Sequence, residues 1–125
     1  MNPDHLRELF AQFRPVSVRR MFSGAGVFAE GVIIALVIRD VIYLKADATT
    51  YQSFLQEGSA PFSYMAKGQK RVIGSFWRMP ERLYDDPDEL AVWAEQALAV
   101  AQRAAAGKVK SSGKKKQVGP RARAT

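Results

Sequence analysis

Residues 21–47, MFSGAGVFAEGVIIALVIRDVIYLKAD, constrain the fold more than any other stretch of the chain. A helix crossing a bilayer needs ~20 consecutive apolar residues. The longest run here, Val32 to Ile38, has seven before Arg39 and Asp40 interrupt it. The stretch therefore reads as short strands joined by tight turns at Ser23-Gly24, Glu30-Gly31 and Arg39-Asp40, where glycine supplies the positive φ that hairpin turns require. Arg-Asp is a poorer turn pair than Asn-Gly, which leaves the register of that hairpin open by one or two residues. A Gly-x-Gly also occurs in phosphate-binding loops, but there it must open a helix whose N–H groups face the anion. Here it opens the strand-like VFAEGVIIAL, and no Lys-Ser or Lys-Thr follows to hold a nucleotide.

The flanks complete an alternation of helices and hairpins. Asn2 and Pro3 are a helix start, and Leu6, Leu9, Phe10 and Phe13 recur at helical spacing, so a first amphipathic helix is expected over about 3–14, ended by Pro15. SVRRMF then has strand composition. Asp47 is placed to cap a second helix over about 48–57, with Gly58 as its left-handed terminator. PFSYMAKGQKRVIGSFW reads as two strands around the polar turn Lys67–Lys70. Asp86, Pro87 and Glu89 form a capping-box pattern before Leu90, Trp93, Ala94, Ala97, Leu98 and Ala101, a third helix that Gly107 is expected to stop. The expected fold class is α+β: two layers, an antiparallel sheet of about five to six strands built from hairpins, and three helices in the order α-β-β-β-β-α-β-β-α.

The chain carries a formal charge of +7, and the surplus is local. Lys108, Lys110, Lys114, Lys115, Lys116, Arg121 and Arg123 occupy a final segment with no acid, and the remaining twelve basic residues balance twelve acidic ones. Residues 1–107 are thus expected to form one formally neutral domain, and 108–125 a disordered basic tail with too few apolar groups to offset the entropy of ordering. Such a tail would bind polyanions by counterion release, with a logarithmic salt slope no steeper than about −6 and no sequence specificity. The absence of cysteine excludes a disulfide frame and fits a reducing compartment; with no signal-peptide pattern at the start, a cytoplasmic location without membrane attachment is expected.

Catalytic and metal chemistry find little support. His5 is the sole histidine, and no acidic pair has metal-ligand spacing, so neither a metal nor a cofactor is expected. Ser17, Ser23, Ser53, Ser63 and Ser75 have one distant histidine as their possible base. Trp77 and Trp93 fit core packing better than stacking platforms. Within the domain the basic clusters are Arg19 with Arg20, and Lys67 with Lys70 and Arg71; they are the candidates for a contact surface. Each is equally a solvated strand edge or turn, where lysine discourages edge-to-edge pairing.

With RRMFSGAGVFAEGVIIALVIRDVIYLKAD (19–47), PFSYMAKGQK (61–70), SFWRMPERLYDD (75–86) and LAVWAEQALAVA (90–101) in view, the chain resembles the N-terminal domain of the TfoX/Sxy family over roughly residues 5–105. The resemblance implies a two-layer α+β domain without a catalytic motif, and a role in regulating natural competence as a coactivator beside a transcription factor. Among the positions matching the family pattern, Lys45, Tyr64 and Lys67 are the polar candidates for partner contact. The chain departs from longer family members in having no second domain and in ending with the lysine-rich tail.

The expected protein is therefore a non-enzymatic regulatory module working by protein contact. The two-sided apolarity of residues 32–38 implies that both faces of the sheet are covered, one by helices and the other by a second subunit, giving a homodimer. The competing expectation is an auxiliary nucleic-acid binder that uses the tail.

Overall fold

The computed structural model describes residues 1–21 and 23–118, with side chains described to residue 107. In chain order the elements are α1 (Pro3–Leu9), β1 (Ser17–Met21), β2 (Gly24–Ala29), β3 (Val32–Ile38), β4 (Val41–Lys45), α2 (Tyr51–Gln56), β5 (Pro61–Ala66), β6 (Gln69–Arg78) and α3 (Pro87–Val118), with a 3₁₀ turn at Glu81–Asp85. All six strands join one antiparallel sheet in the order β1-β2-β3-β4-β6-β5. The fold is the expected α+β arrangement.

Two-residue turns set the β2–β3, β3–β4 and β5–β6 hairpins; Gly24, expected to supply positive φ in a fourth turn, instead lies in β2, paired with Met21 and without positive φ. Ala29 pairs with Val32, Ile38 with Val41 and Ala66 with Gln69, so each loop has two residues. Their φ values are all positive: 52° and 82° at Glu30-Gly31, 50° and 63° at Arg39-Asp40, and 52° and 76° at Lys67-Gly68. This is the turn geometry whose twist matches that of the flanking strands. Arg39-Asp40 adopts it without a glycine, and an ion pair between the Met1 amino group and Asp40 ties the turn to the N-terminus.

Helix ends follow local chemistry. The Asn2 side chain accepts from the His5 N–H at 2.8 Å. α1 ends at Leu9, short of the expected 14; its continuation tightens into turns, with Phe13 N–H donating to the Phe10 carbonyl at 2.9 Å. Pro15 bars any continuation past Arg14, because it drives the residue before it out of helical conformation. α2 closes as expected at Gly58, φ 75°: Ser59 N–H donates to Phe54 O and Gly58 N–H to Leu55 O, both at 3.0 Å. Asp47 does not cap that helix. It folds a local turn, accepting from the Thr49 N–H at 3.0 Å and hydroxyl at 2.6 Å, and α2 begins after Thr50. At α3 the Asp86 carboxylate accepts from Glu89 N–H at 3.2 Å, as the capping pattern implied. Gly107 does not stop the helix, which runs to Val118; a helical glycine costs about 1 kcal/mol relative to alanine and does not forbid continuation. Residues 119–125 and the side chains from 108 onward lie outside the described residues, so the expected division at 107 is not decided by the helix path.

One sheet face carries the core. α3 packs across β3 and β4, α1 against β1. Leu6 of α1 and Phe10 just after it, Ile42 and Leu44 from β4, and Leu90 and Ala94 from α3 are all fully buried. Phe54 of α2 touches both tryptophans, with ring centroids 5.8 Å from Trp77 and 5.1 Å from Trp93, which places both indoles in the core as expected. Arginines fasten the layers at the rim. Arg14 bridges Glu30 and Glu95, Arg82 bridges Glu57 and Glu89, and Arg103 donates to Asp47 and Thr49. The Tyr84 hydroxyl accepts from the Ile42 N–H at 3.0 Å; burial raises its pKa.

A bulge on β3 explains how one strand is apolar on both sides. Val27 pairs with Ala35 but Phe28 with Ile33, leaving Ile34 without a cross-strand partner. The extra residue breaks the alternation, so Ile34 and Ala35 both point into the core, each 0% exposed. Beyond the bulge Val37 faces the core, whereas Ile33, Leu36 and Ile38 line the opposite face.

Candidate protein-interaction face

Among the described residues no helix packs over that opposite face. Outward positions on β4 are Val41, Tyr43 and Lys45, alternating with the buried Ile42 and Leu44. Phe76 and Ile73 of β6, then Phe62 and Tyr64 of β5, extend the surface toward the far edge. Together these residues bound a concave groove of about 970 Å³, reaching from Met21 on β1 to Met65 on β5. β2 contributes no side chain to its lining: two of its three outward positions are Gly24 and Gly26, and the third, Phe28, lies beside the groove under Arg19. The glycines of the Gly-x-Gly pattern therefore serve close approach. A Cβ on Gly24 would lie 1.9 Å from the Val37 carbonyl oxygen, and one on Gly26 would lie 2.4 Å from Met21 Sδ.

Aromatic rings order the groove. Tyr43 meets Phe62 edge-on at 4.9 Å between centroids, and Phe62 stacks on Tyr64 at 6.0 Å. Lys45 Nζ lies 4.8 Å from the Phe76 ring, and the Arg19 guanidinium 4.7 Å from that of Phe28, so two cations rest on aromatic faces at the sheet surface. The β5–β6 hairpin then projects with both sides accessible: Tyr64 is 47% exposed, Met65 67% and Val72 56%. Large apolar side chains so exposed in one contiguous region are the surface signature of an interaction site.

The charges of the two layers differ in sign. The six strands hold Arg19, Arg20, Lys45, Lys70, Arg71 and Arg78 and no acidic residue. Acids cluster instead in the helical layer and its approaches, among them Asp4, Glu8, Asp85, Asp86, Asp88 and Glu95. The formally neutral domain is thus polarised between its faces. No acid lines the groove, whereas Arg39 and Lys45 do.

Of the residues singled out from sequence, the structure gathers Arg19, Lys45, Tyr64 and Arg71 on or beside this face; Arg71 is the cross-strand partner of Tyr64. Arg20 pairs with Ala25, which packs against the core, and so falls on the other parity of the edge strand. Lys67 sits in the hairpin turn and Lys70 pairs with Met65 near the tip. The side chains of Lys108, Lys110, Lys114, Lys115 and Lys116, and all of Arg121 and Arg123, lie outside the described residues. Sequence reasoning passed over Arg39, Tyr43, Phe62 and Phe76. The alternation in VIYLK was the available signal for Tyr43; no local pattern marks Phe76, which pairs with Lys45, 31 positions before it in the chain.

Among the described residues no group of three or more His, Cys, Asp or Glu is arranged to hold a metal ion. No helix among them is long and apolar enough to cross a membrane.

The fold is a small α+β domain with helices on one sheet face and an open, aromatic and cation-bearing groove on the other. The chain belongs to the TfoX family: the model of the TfoX N-terminal domain matches residues 8–101. A comparison with curated proteins finds no match.

Proposed function

We propose that the protein is a non-enzymatic regulatory module that acts by contacting a partner protein through the open face of its sheet. Membership of the TfoX family supports a competence-type regulatory role, with a transcription factor as the class of partner and coactivation as the mode of action. The single observation that carries the contact reading is the groove itself. Its aliphatic and aromatic lining would stay wet in an isolated chain, and burying apolar area against a partner is worth about 25 cal/mol per Å².

The test is transcriptional. In the native cell, deletion of the gene should reduce expression of competence genes, and the wild-type chain should restore it. A chain carrying Tyr64→Ser and Met65→Ser should not restore it, although both positions are exposed and the fold should be retained. An unchanged transcript profile on deletion, or full rescue by the double variant, would reject the proposal.

A further inference from the structure

We infer that the occupant of the groove is an acidic amphipathic helix of the partner, lying across the strands. This rests on the contact reading above and adds the chemistry and shape of what is bound.

Charge selects the sign. The strands hold no acid, and of their six cations Arg19, Lys45 and Arg71 lie on or beside this face, while Arg20 has the other parity and Arg78 pairs with Glu81; Asp40, beside the groove in its turn, is paired with the Met1 amino group. A second copy of the same face would bring cations against cations across a closed apolar interface, an arrangement that costs several kcal/mol when like charges are juxtaposed. An isologous pair through this face is therefore disfavoured. A segment with carboxylates along its margins would instead meet Lys45 and Arg39 at the groove and Arg19 and Arg71 beside it.

The lining selects the class of macromolecule. Single-stranded nucleic acid also uses cations and exposed rings, but it stacks on aromatic platforms. Here Met21, Ile33, Leu36, Ile38, Val41 and Ile73 make most of the floor aliphatic, and Phe62 and Phe76 are turned to pack with Tyr43 and Lys45. Aliphatic floors match leucine-rich helix stripes.

Width selects the shape. Six strands span five gaps of roughly 4.8 Å, or about 24 Å from β1 to β5. At 1.5 Å per residue an α-helix of about 16 residues covers that distance, presenting apolar anchors at i, i+4, i+7 and i+11. Above Gly26 the side chains of Met21, Phe28 and Ile33 close in, so the surface stays apolar near its β1 end.

The experiment uses the full chain and fluorescence anisotropy with four labelled probes at about 0.15 M salt. The first is a 16-residue alanine-based peptide with four leucines on one helical stripe, flanked by glutamates. The second has lysines for the glutamates. The third has the composition of the first with its leucines dispersed around the helix, so binding through residues 108–125 is the same for both. The fourth is a thymidine 16-mer. The striped acidic peptide should bind at least about tenfold tighter than the basic and the dispersed peptides, a difference of about 1.4 kcal/mol. Tyr64→Ser with Met65→Ser should remove that margin, and Lys45→Glu with Arg71→Glu should transfer preference to the basic peptide. Circular dichroism confirms that each variant remains folded. Equal affinity for striped and dispersed peptides, or a preference that survives the charge reversal, would overturn the inference. So would an oligonucleotide whose affinity falls in the Tyr64/Met65 variant while that of the peptide does not, or light scattering that shows the face closed against a second copy. If these fail while the same double variant still abolishes transcriptional rescue, the contact reading stands and only the acidic helix is wrong.

Discussion

Replacing Gly24 and Gly26 by alanine, one at a time, should have sharply unequal effects. The Cβ added at Gly24 lands 1.9 Å from the Val37 carbonyl oxygen, and 3.0 Å is the closest approach that real Cβ atoms show, so β2 and β3 must part by about 1 Å. The obstacle is backbone and cannot rotate away. Separating strands that normally lie about 4.8 Å apart breaks one or two ladder hydrogen bonds worth about 0.5–1.5 kcal/mol each. Overpacking adds about 1–3 kcal/mol, for a total of about 1.5–6 kcal/mol. In a domain of this size, at roughly 5 °C per kcal/mol, that lowers the melting temperature by about 8–30 °C. The Cβ at Gly26 meets only side-chain ends: Met21 Sδ at 2.4 Å, Phe28 Cε1 at 3.0 Å and Ile33 Cδ1 at 3.1 Å. Met21 can swing aside, and the loss of glycine's freedom in the unfolded chain offsets part of the cost, leaving a change within about 1 kcal/mol. Urea unfolding of both variants measures the contrast. Equal destabilisation, or a Gly24→Ala variant within about 0.5 kcal/mol of wild type, would refute the assignment of these glycines to close strand approach.

Three further outcomes are expected. Arg39→Asn and Lys67→Asn, each at the first positive-φ position of a two-residue turn, should each raise stability by about 0.5–1 kcal/mol in urea unfolding, because asparagine tolerates that conformation better. Tyr84→Phe strands the Ile42 N–H inside β4 and should cost about 1–2 kcal/mol in the same assay. Asp47 is held below the ordinary carboxylate range chiefly by the Thr49 hydroxyl and then by Arg103, and Glu57 chiefly by Arg82. For both, the unfolded chain binds the proton more readily. Their contribution is therefore complete above the ordinary carboxylate range and lost as pH falls through that range to the lowered native values. Asp47→Asn should flatten the dependence of the urea midpoint on pH in that range.

Much of the fold was legible because its signals are local. Glu30-Gly31 and Lys67-Gly68 announce turns through glycine, Gly58 ends α2 through its positive φ, and Asp86-Pro87 starts α3 through a side-chain bond that forms within one turn. What escaped depends on distant residues or on counting. The β3 register was hidden because residues 32–38 are apolar at every position, so an unpaired Ile34 leaves no mark in composition. Asp47 has the chemistry of a cap, yet Thr49 lies close enough to claim its carboxylate first. Of the contact face, Lys45, Tyr64 and Arg71 were visible as polar or charged residues in strands. Its apolar floor was not, because a strand pattern shows which residues share a side and not which side the helices take.

Ile34 also sets two reading frames for a single strand. Before it, even-numbered residues of β3 turn inward; after it, odd-numbered ones do. Losing this one codon would restore a plain alternation and leave Val32, Ile33 and Leu36 to Ile38 on the layers they already occupy, whereas a one-residue deletion within 36–38 would exchange layers on one side of it. Alignments of related chains that slide a gap through this apolar run would pair inward with outward positions, and a gap placed at 34 is the one that keeps the two frames in step.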